Sequence, residues 1–365
     1  MSEVVNMKVV GVGGAGNNVV SRMRSSGLDG VTYVNINTDR ATLVASAADE
    51  RVQIGEKLTH GSGAGSKPEV GRMAAEEDRN NILRVFEQTD AVFLTAGMGG
   101  GTGTGAIPVV ADAAREQGVL TIAVVSTPFK WEGQRKMRTA LAGIEALKEK
   151  VDTLFVIPNE NIRKVSDQNV TFANAFSASD EVLNRAVGGI ADLLRSTGFI
   201  NLDFADLKAI LRQSGLAHLG ISEASGKGKV DEAAAAVIHS DLTETSVNGA
   251  RRVIVNMTVS QDLAMEDVTV LMEKIHAAAH PEANIIFGLG YDETLVDALR
   301  LIVIATDFDG EGGELRKPDD AAGAAAEKQR NAVQGENRDG KANAGDKDEK
   351  DDIWETWLAE FFNKK

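Results

Sequence analysis

Cysteine is absent from all 365 residues, which excludes disulfides, thiolate nucleophiles and Cys-ligated metal centres. The five histidines include no HxxH pair, and a zinc site is not expected. Nowhere do 18 apolar residues follow one another, and no membrane-spanning helix is expected. Nor is there an excess of positive charge. Acidic residues outnumber basic ones to give a formal charge of −15, which argues against nucleic acid and anionic membranes as general partners. The opening MSEVVNMKVVGVGG has neither a basic segment nor a cleavage site before its apolar run, so a cytoplasmic protein is expected.

What the chain has in quantity is glycine, and two clusters of it stand out. GVGGAGNN occupies 11–18 and GMGGGTGTG occupies 97–105, each at or directly after an apolar run. MKVVGVG (7–13), VTYVNIN (31–37), RVQIG (51–55), AVFLTA (91–96), LTIAVVS (120–126) and TLFVIPN (153–159) are short and rich in β-branched residues. Several are continuously apolar, as strands of a parallel sheet covered on both faces must be. Helical patterns such as 106–118 and 133–150 alternate with them, which predicts a doubly wound α/β domain. A long helix is predicted over 171–196, with Phe172, Phe176, Leu183, Val187, Ile190 and Leu194 as one buried stripe. Gly188 and Gly189 interrupt it and point to close packing of a neighbour. Residues 216–306 read as a second α/β unit.

Consecutive glycines let successive N–H groups converge on one point, and a helix starting near Thr104 would add its positive end. Thr102 and Thr104 offer hydroxyl donors to the same oxygens. Neither loop contains lysine, so neither is a Walker A loop. GVGGAG alone also fits the dinucleotide fingerprint, with Asp39 near the expected place of a ribose carboxylate. Two phosphate cradles on neighbouring strand ends favour instead one triphosphate gripped from both sides.

In order along the chain come GVGGAGNN, NTD (37–39), GAGSKPEVGRMAAEE (63–77), TAGMGGGTGTGA (95–106), PFKWEG (128–133), IPNE (157–160) and GFINLDFADL (198–207). Through these the segment 7–306 resembles the FtsZ family, the prokaryotic tubulin homologues that form the cell-division ring. The resemblance implies a doubly wound parallel-sheet GTPase domain over 1–170, a central helix over 171–200, and a smaller α/β domain over 201–306. It implies a GTPase using GTP/GDP and Mg²⁺, polymerising head to tail at the division site. By position it assigns nucleotide contacts to Gly14, Ala15, Gly16, Asn17, Asn18, Gly101, Thr102 and Gly103, and ribose contact to Glu132. Lys136 stands where the family usually has an arginine, supplying charge without a planar fork. Arg135, Lys136 and Arg138 read equally well as a solvated basic face. A non-hydrolysing paralogue and, from GVGGAG alone, an NAD(P)-dependent oxidoreductase are the alternatives.

The family places the base near Phe176 and Asp180, four residues apart on one helix face. An aromatic ring stacks on the purine, and a carboxylate accepts from guanine N1–H and its 2-amino group, which adenine cannot match. Phe176 as ordinary core, and Asp180 as a favourable charge near a helix start, are the plainer readings. Asp203 and Asp206, with Asn201 beside them, are the expected catalytic residues. From Asp180 to Asp203 is roughly 35 Å if mostly helical, too far for a general base to act on its own chain's phosphates. They are therefore expected to act on the GTP of the adjacent subunit. Asp203 equally suits the N-cap of a helix from Phe204, and Asp206 its third position. Mg²⁺ is expected on phosphate oxygens and water, with no dedicated protein ligand.

Residues 307–352 hold 14 acidic and 8 basic side chains and little that could form a core, so a disordered linker is expected there. Residues 353–365, with Trp354, Trp357, Leu358, Phe361 and Phe362 at helical spacing, are expected to bind a membrane anchor or division regulator in a groove. Packing back on the globular part, or direct contact with lipid, are the other uses of such a segment.

Overall fold

The computed structural model describes residues 5–26, 30–165, 170–171, 174–193, 200, 202–243, 245–260 and 263–308. Phe172, Leu194, Asn201 and the expected linker and terminal peptide beyond 308 lie outside the described residues. The apolar runs form the strands β1 (Met7–Val12), β2 (Val31–Asn37), β3 (Glu50–Gln53), β4 (Ala91–Gly97), β5 (Leu120–Thr127) and β6 (Thr153–Pro158). A short β7 (Gly215–Leu216) completes a parallel sheet in the order β3-β2-β1-β4-β5-β6-β7. Every residue of β5 and β6 is buried, which is why these strands read as unbroken apolar or small stretches rather than alternating ones.

The longer helices beside this sheet include α1 (Gly13–Ser26), α2 (Pro68–Glu77), α3 (Thr102–Glu116), α4 (Gln134–Lys148), α5 (Ala175–Leu193) and α6 (Phe204–Leu211), with shorter ones such as Arg40–Val44 between them. Side chains of α2, α3 and α4 share a core with Val10, Val34, Leu94 and Ala123 on one face of the sheet. Those of α1, α5 and α6 share another with Val9, Phe93, Ile122 and Phe155 on the opposite face.

The second unit has strands β8 (His218–Ser225), β9 (Ala250–Val259), β10 (Asn284–Tyr291) and β11 (Ala298–Phe308), in the order β10-β9-β11-β8. Only the β9–β10 pair is parallel. Helices α7 (Lys229–Ile238) and α8 (Met265–Ala278) cover one face. The other face turns Leu219, Ile254, Ile302 and Ile304 into the core that holds α5. The long helix is thus clamped between two sheets, with Val182, Leu183, Ala186, Val187, Ile190 and Ala191 all buried.

Two expectations about this helix change. Phe176 is 51% exposed at its first turn and does not belong to the buried stripe. Of the two glycines, only Gly189 meets a neighbour, since a Cβ there would stand 2.9 Å from Ile302 Cδ1. Gly188 has open space around it.

The joint between the sheets is polar. Asp152 accepts from the backbone N–H of Thr121 at 2.9 Å and of Gln213 at 3.3 Å, and its carbonyl accepts from Ser214 and Gly215. Thr153 Oγ1 donates to Leu211 O at 2.6 Å. These bonds return the chain to the first sheet before it enters the second. His218, wholly buried at the start of β8, donates from Nε2 to Val237 O at 2.7 Å and so accepts at Nδ1 from Thr245 Oγ1 at 2.8 Å. Burial pushes its pKa down to about 4.

Helices α2 and α3 touch backbone to backbone, because Gly105 and Gly71 carry no Cβ. A methyl on Gly105 would collide with Pro68 O, and one on Gly71 with Gly101 O. Gly105→Ala must push two helices apart and is expected to cost about 2–4 kcal/mol. Gly188→Ala, in open space within a helix, is expected to add about 0.5–1 kcal/mol. Thermal unfolding of the two variants should move in opposite directions from the parent.

Candidate functional site

The sheet order reverses direction at β1 and β4. From β1 the chain moves outward to β2, whereas from β4 it moves the other way to β5. A crevice opens there, beyond the carboxyl ends of the strands, where ligands of such sheets bind. Both glycine clusters fall in it. The first runs from β1 into α1, and the second from β4 into α3.

The crevice is an open cleft of about 280 Å³, lined by Gly14 and Ala15 of the first loop and by Gly100, Gly101, Thr102 and Gly103 of the second. The first helical turns of α1 and α3 aim here, and their leading N–H groups have no acceptor within their own helices. Gly105 N–H donates to Gly101 O at 3.0 Å and closes the first turn of α3. The cleft therefore presents positive helix ends from two sides to an anion.

The remaining members of the first loop serve it from beneath. A Cβ on Gly16 would strike Thr95 O, so this glycine lets α1 settle on β4. Asn17 is buried, donates to Gly11 O at 2.8 Å, and accepts from Asn37 Nδ2 at 2.7 Å. Asn18 is exposed and does not line the cleft. Thr104 departs from expectation. Its hydroxyl accepts from Gly99 N–H at 2.8 Å and the side chain is buried, so it braces the loop instead of facing a ligand. The helix also starts at Thr102, earlier than anticipated.

Glu132, Lys136, Phe176 and Asp180 meet on the opposite wall. Glu132 ends a single turn of 3₁₀ helix (Lys130–Glu132), where its Oε1 accepts from Phe129 N–H at 2.9 Å and its Oε2 from Lys136 Nζ. Arg135 is exposed and lies outside the lining, so the positive charge in the cleft is that of Lys136. Phe176 packs edge-on against Phe129 and Trp131, with ring centroids 5.8 and 5.9 Å away. Asp180 is 7% exposed, and Arg22 Nε stands 3.7 Å from its Oδ2. Burial outweighs that partially solvated guanidinium and raises the Asp180 pKa to about 6. Asp39 takes no part in the cleft. It N-caps the helix Arg40–Val44, accepting from Thr42 N–H at 3.0 Å, which removes the support for a dinucleotide ribose carboxylate.

Four polar or rigid residues that were given no site role from the sequence join the lining: Ser126 at the end of β5, Pro128 just after it, Asn159 after β6, and Ser179. Ser179 Oγ donates to Asn159 Oδ1 at 2.6 Å, tying α5 to the end of β6. The first three follow from the same strand-end rule that located the glycine loops.

Asp203 and Asp206 are elsewhere. Both are exposed, and neither lines the cleft. Asp203 caps α6, accepting from Ala205 N–H at 3.2 Å, and Asp206 sits in the first turn. The chain just before them is fastened to the second sheet, since Ile200 and Leu289 exchange two backbone hydrogen bonds of 3.0 Å. Between cleft and cap runs α5, whose 19 residues span roughly 28 Å.

The raised pKa of Asp180 makes its ionised form a burden on the folded protein. A folded-state value near 6 against 3.8 means that stability falls as pH rises between these values. Asp180→Asn is therefore expected to stabilise the nucleotide-free protein by about 1–3 kcal/mol above pH 6, with the gain fading toward pH 4. His218 imposes the opposite slope over much of this range, because its folded-state pKa lies below the usual 6.5. The difference between variant and parent melting curves across pH isolates Asp180.

Residues 6–167 match the family model described as Tubulin/FtsZ family, GTPase domain, and residues 215–309 match that of the FtsZ family, C-terminal domain. A curated relative, the cell division protein FtsZ of Aquifex aeolicus, is 45% identical over 315 residues, which cover 85% of this chain and 86% of the relative. Among solved structures, an empty FtsZ dimer of M. jannaschii aligns with a TM-score of 0.77 at 40% identity, covering 83% of this chain and 88% of its own. A GTPgS-bound protofilament of CetZ2 from Haloferax volcanii aligns with a TM-score of 0.71 over 90% of this chain and 99% of its own. At 20% identity that likeness concerns the fold alone. With both units matched in order and nearly half the residues shared across most of its length, the chain belongs to the Tubulin/FtsZ family and carries that family's GTPase domain.

Proposed function

We propose that this protein is a GTP-hydrolysing cytoskeletal protein of cell division that polymerises head to tail, with each reaction centre completed by two subunits. The observation that carries the reading is the separation within one chain. The cleft that suits a nucleotide lies at one end of α5, and the carboxylates suited to water chemistry lie past its other end.

In the cleft, the N–H groups of Gly14, Ala15, Gly101, Thr102 and Gly103 hold the phosphates, while Gly16 and Asn17 fix the loop that presents them. Asn18, outside the lining, contributes at the rim. Glu132 takes the ribose hydroxyls, and Lys136 must leave it to reach a phosphate. Phe176 stacks on the base, held edge-on by Trp131 and Phe129. Ionised Asp180 accepts from guanine N1–H and its 2-amino group. Adenine leaves that buried carboxylate without donors, which is the stronger form of discrimination. Asp180→Ala should therefore erode the preference for GTP over ATP.

The donor set fits an Mg²⁺ ion that arrives on the nucleotide. The two carboxylates of the cleft, Glu132 and Asp180, are assigned to ribose and base, which leaves the ion to the phosphate oxygens and water. When bound, the ion supplies charge neutralisation on the phosphate oxygens. Asp203 and Asp206, with Asn201 beside them, position and polarise water on the neighbour's GTP. A contact between unlike surfaces of successive copies generates a filament. We place the domain limits at 170, 200 and 352, move the expected limit at 306 to Phe308 where β11 ends, and assign 353–365 to membrane anchors or division regulators. The filament forms in the cytoplasm at the division site.

Phosphate release measured across protein concentration tests the shared centre. A threshold concentration is expected, whereas release proportional to protein from the lowest dilution would overturn it. Asp203→Ala or Asp206→Ala should bind GTP normally yet lose turnover by about 10²-fold or more. Mixing either with a Gly101 variant that cannot hold nucleotide should restore part of the activity, since each supplies the half that the other lacks.

A further inference from the structure

Thr38 lies between β2 and the helix Arg40–Val44, and its side chain is wholly buried. Its hydroxyl stands 2.7 Å from the hydroxyl of Thr102, the first residue of α3. Among the described residues, Thr38 Oγ1 has no other hydrogen-bond partner. The Thr38 carbonyl accepts from Gly63 N–H and Thr59 Oγ1, each at 3.4 Å, so the backbone behind the hydroxyl is held.

Two hydroxyls that share one hydrogen bond have one hydrogen to spare, and burial decides which keeps it. If Thr102 donated, the hydrogen of Thr38 would be left in the interior without an acceptor, an arrangement that buried polar groups avoid. If Thr38 donates, the spare hydrogen belongs to Thr102. That residue lines the cleft, where the hydrogen can meet an anionic oxygen. Donation into Thr102 Oγ1 also polarises its O–H bond and strengthens it as a donor. We infer that Thr38 is a positioning residue for the phosphate site, setting the direction of the Thr102 hydroxyl so that it donates to the nucleotide phosphates.

This inference rests on the cleft being the GTP site, and a double-mutant cycle separates the two ideas. GDP affinity is measured on the full-length protein for Thr38→Val, Thr102→Val, the double variant and Thr38→Ser, with guanosine as a ligand lacking phosphate. Thr38→Val is expected to weaken GDP by about fivefold, to leave guanosine unchanged, and to be rescued by Thr38→Ser. In the Thr102→Val background it should have no further effect, because its target is gone. Equal losses for GDP and guanosine, or full additivity in the cycle, would overturn the inference in favour of a general packing role. Wild-type GDP affinity in Thr38→Val combined with a loss in Thr102→Val would overturn it while sparing the phosphate site. No effect from either substitution would count against the site itself.

Discussion

Close backbone approach at one crevice is the constraint on which the molecule turns. The two glycine loops leave adjacent strands where the sheet order reverses, and both must lie low enough for helix N-termini to face one space. That demands contacts no side chain permits. Gly16 sits on the carbonyl of Thr95, Gly71 under that of Gly101, and Gly105 against that of Pro68. The second glycine loop is thereby held by α2 as well as by its own strand. A preorganised anion site follows from packing, since its N–H groups are already aimed before a ligand arrives.

The second constraint is α5. Clamped between the two sheets, it acts as a spacer of fixed length, with Phe176 and Asp180 of the cleft at its start and the α6 cap beyond its end. The cap is tied to the second sheet through Ile200 and Leu289, whereas the cleft belongs to the first. Under the proposed division of labour, the register between sheets sets the register between subunits. The polar joint around Asp152 and Thr153 is where that register is fixed within one chain.

Much of this was legible in the sequence because the physics is local. Continuous apolar runs marked the parallel strands, and the glycine clusters marked their ends. The capping role of Asp203 could be read from NLDFADL. What was not legible depended on partners distant along the chain. Nothing near Gly105 tells that Pro68 will lie against it, so that glycine looked like part of a phosphate cradle. Thr104 reads from the sequence as a donor to the ligand, but its oxygen accepts from Gly99 N–H and its side chain is buried. Phe176 fitted the apolar spacing of α5, yet the helix starts only one residue earlier, outside the clamp, and leaves the ring at the cleft. Periodicity assigns a face along a helix but not where burial begins.

The ion pair of Lys136 with Glu132 has a further consequence. These two charges satisfy each other, so neither is stranded in the lining of the cleft. No such arrangement relieves Asp180, whose partner Arg22 is too solvated to offset its burial. The lining of the cleft is thus electrostatically balanced at Glu132 and strained at Asp180. Under the proposed function, the donors on the edge of a seated guanine relieve that strain.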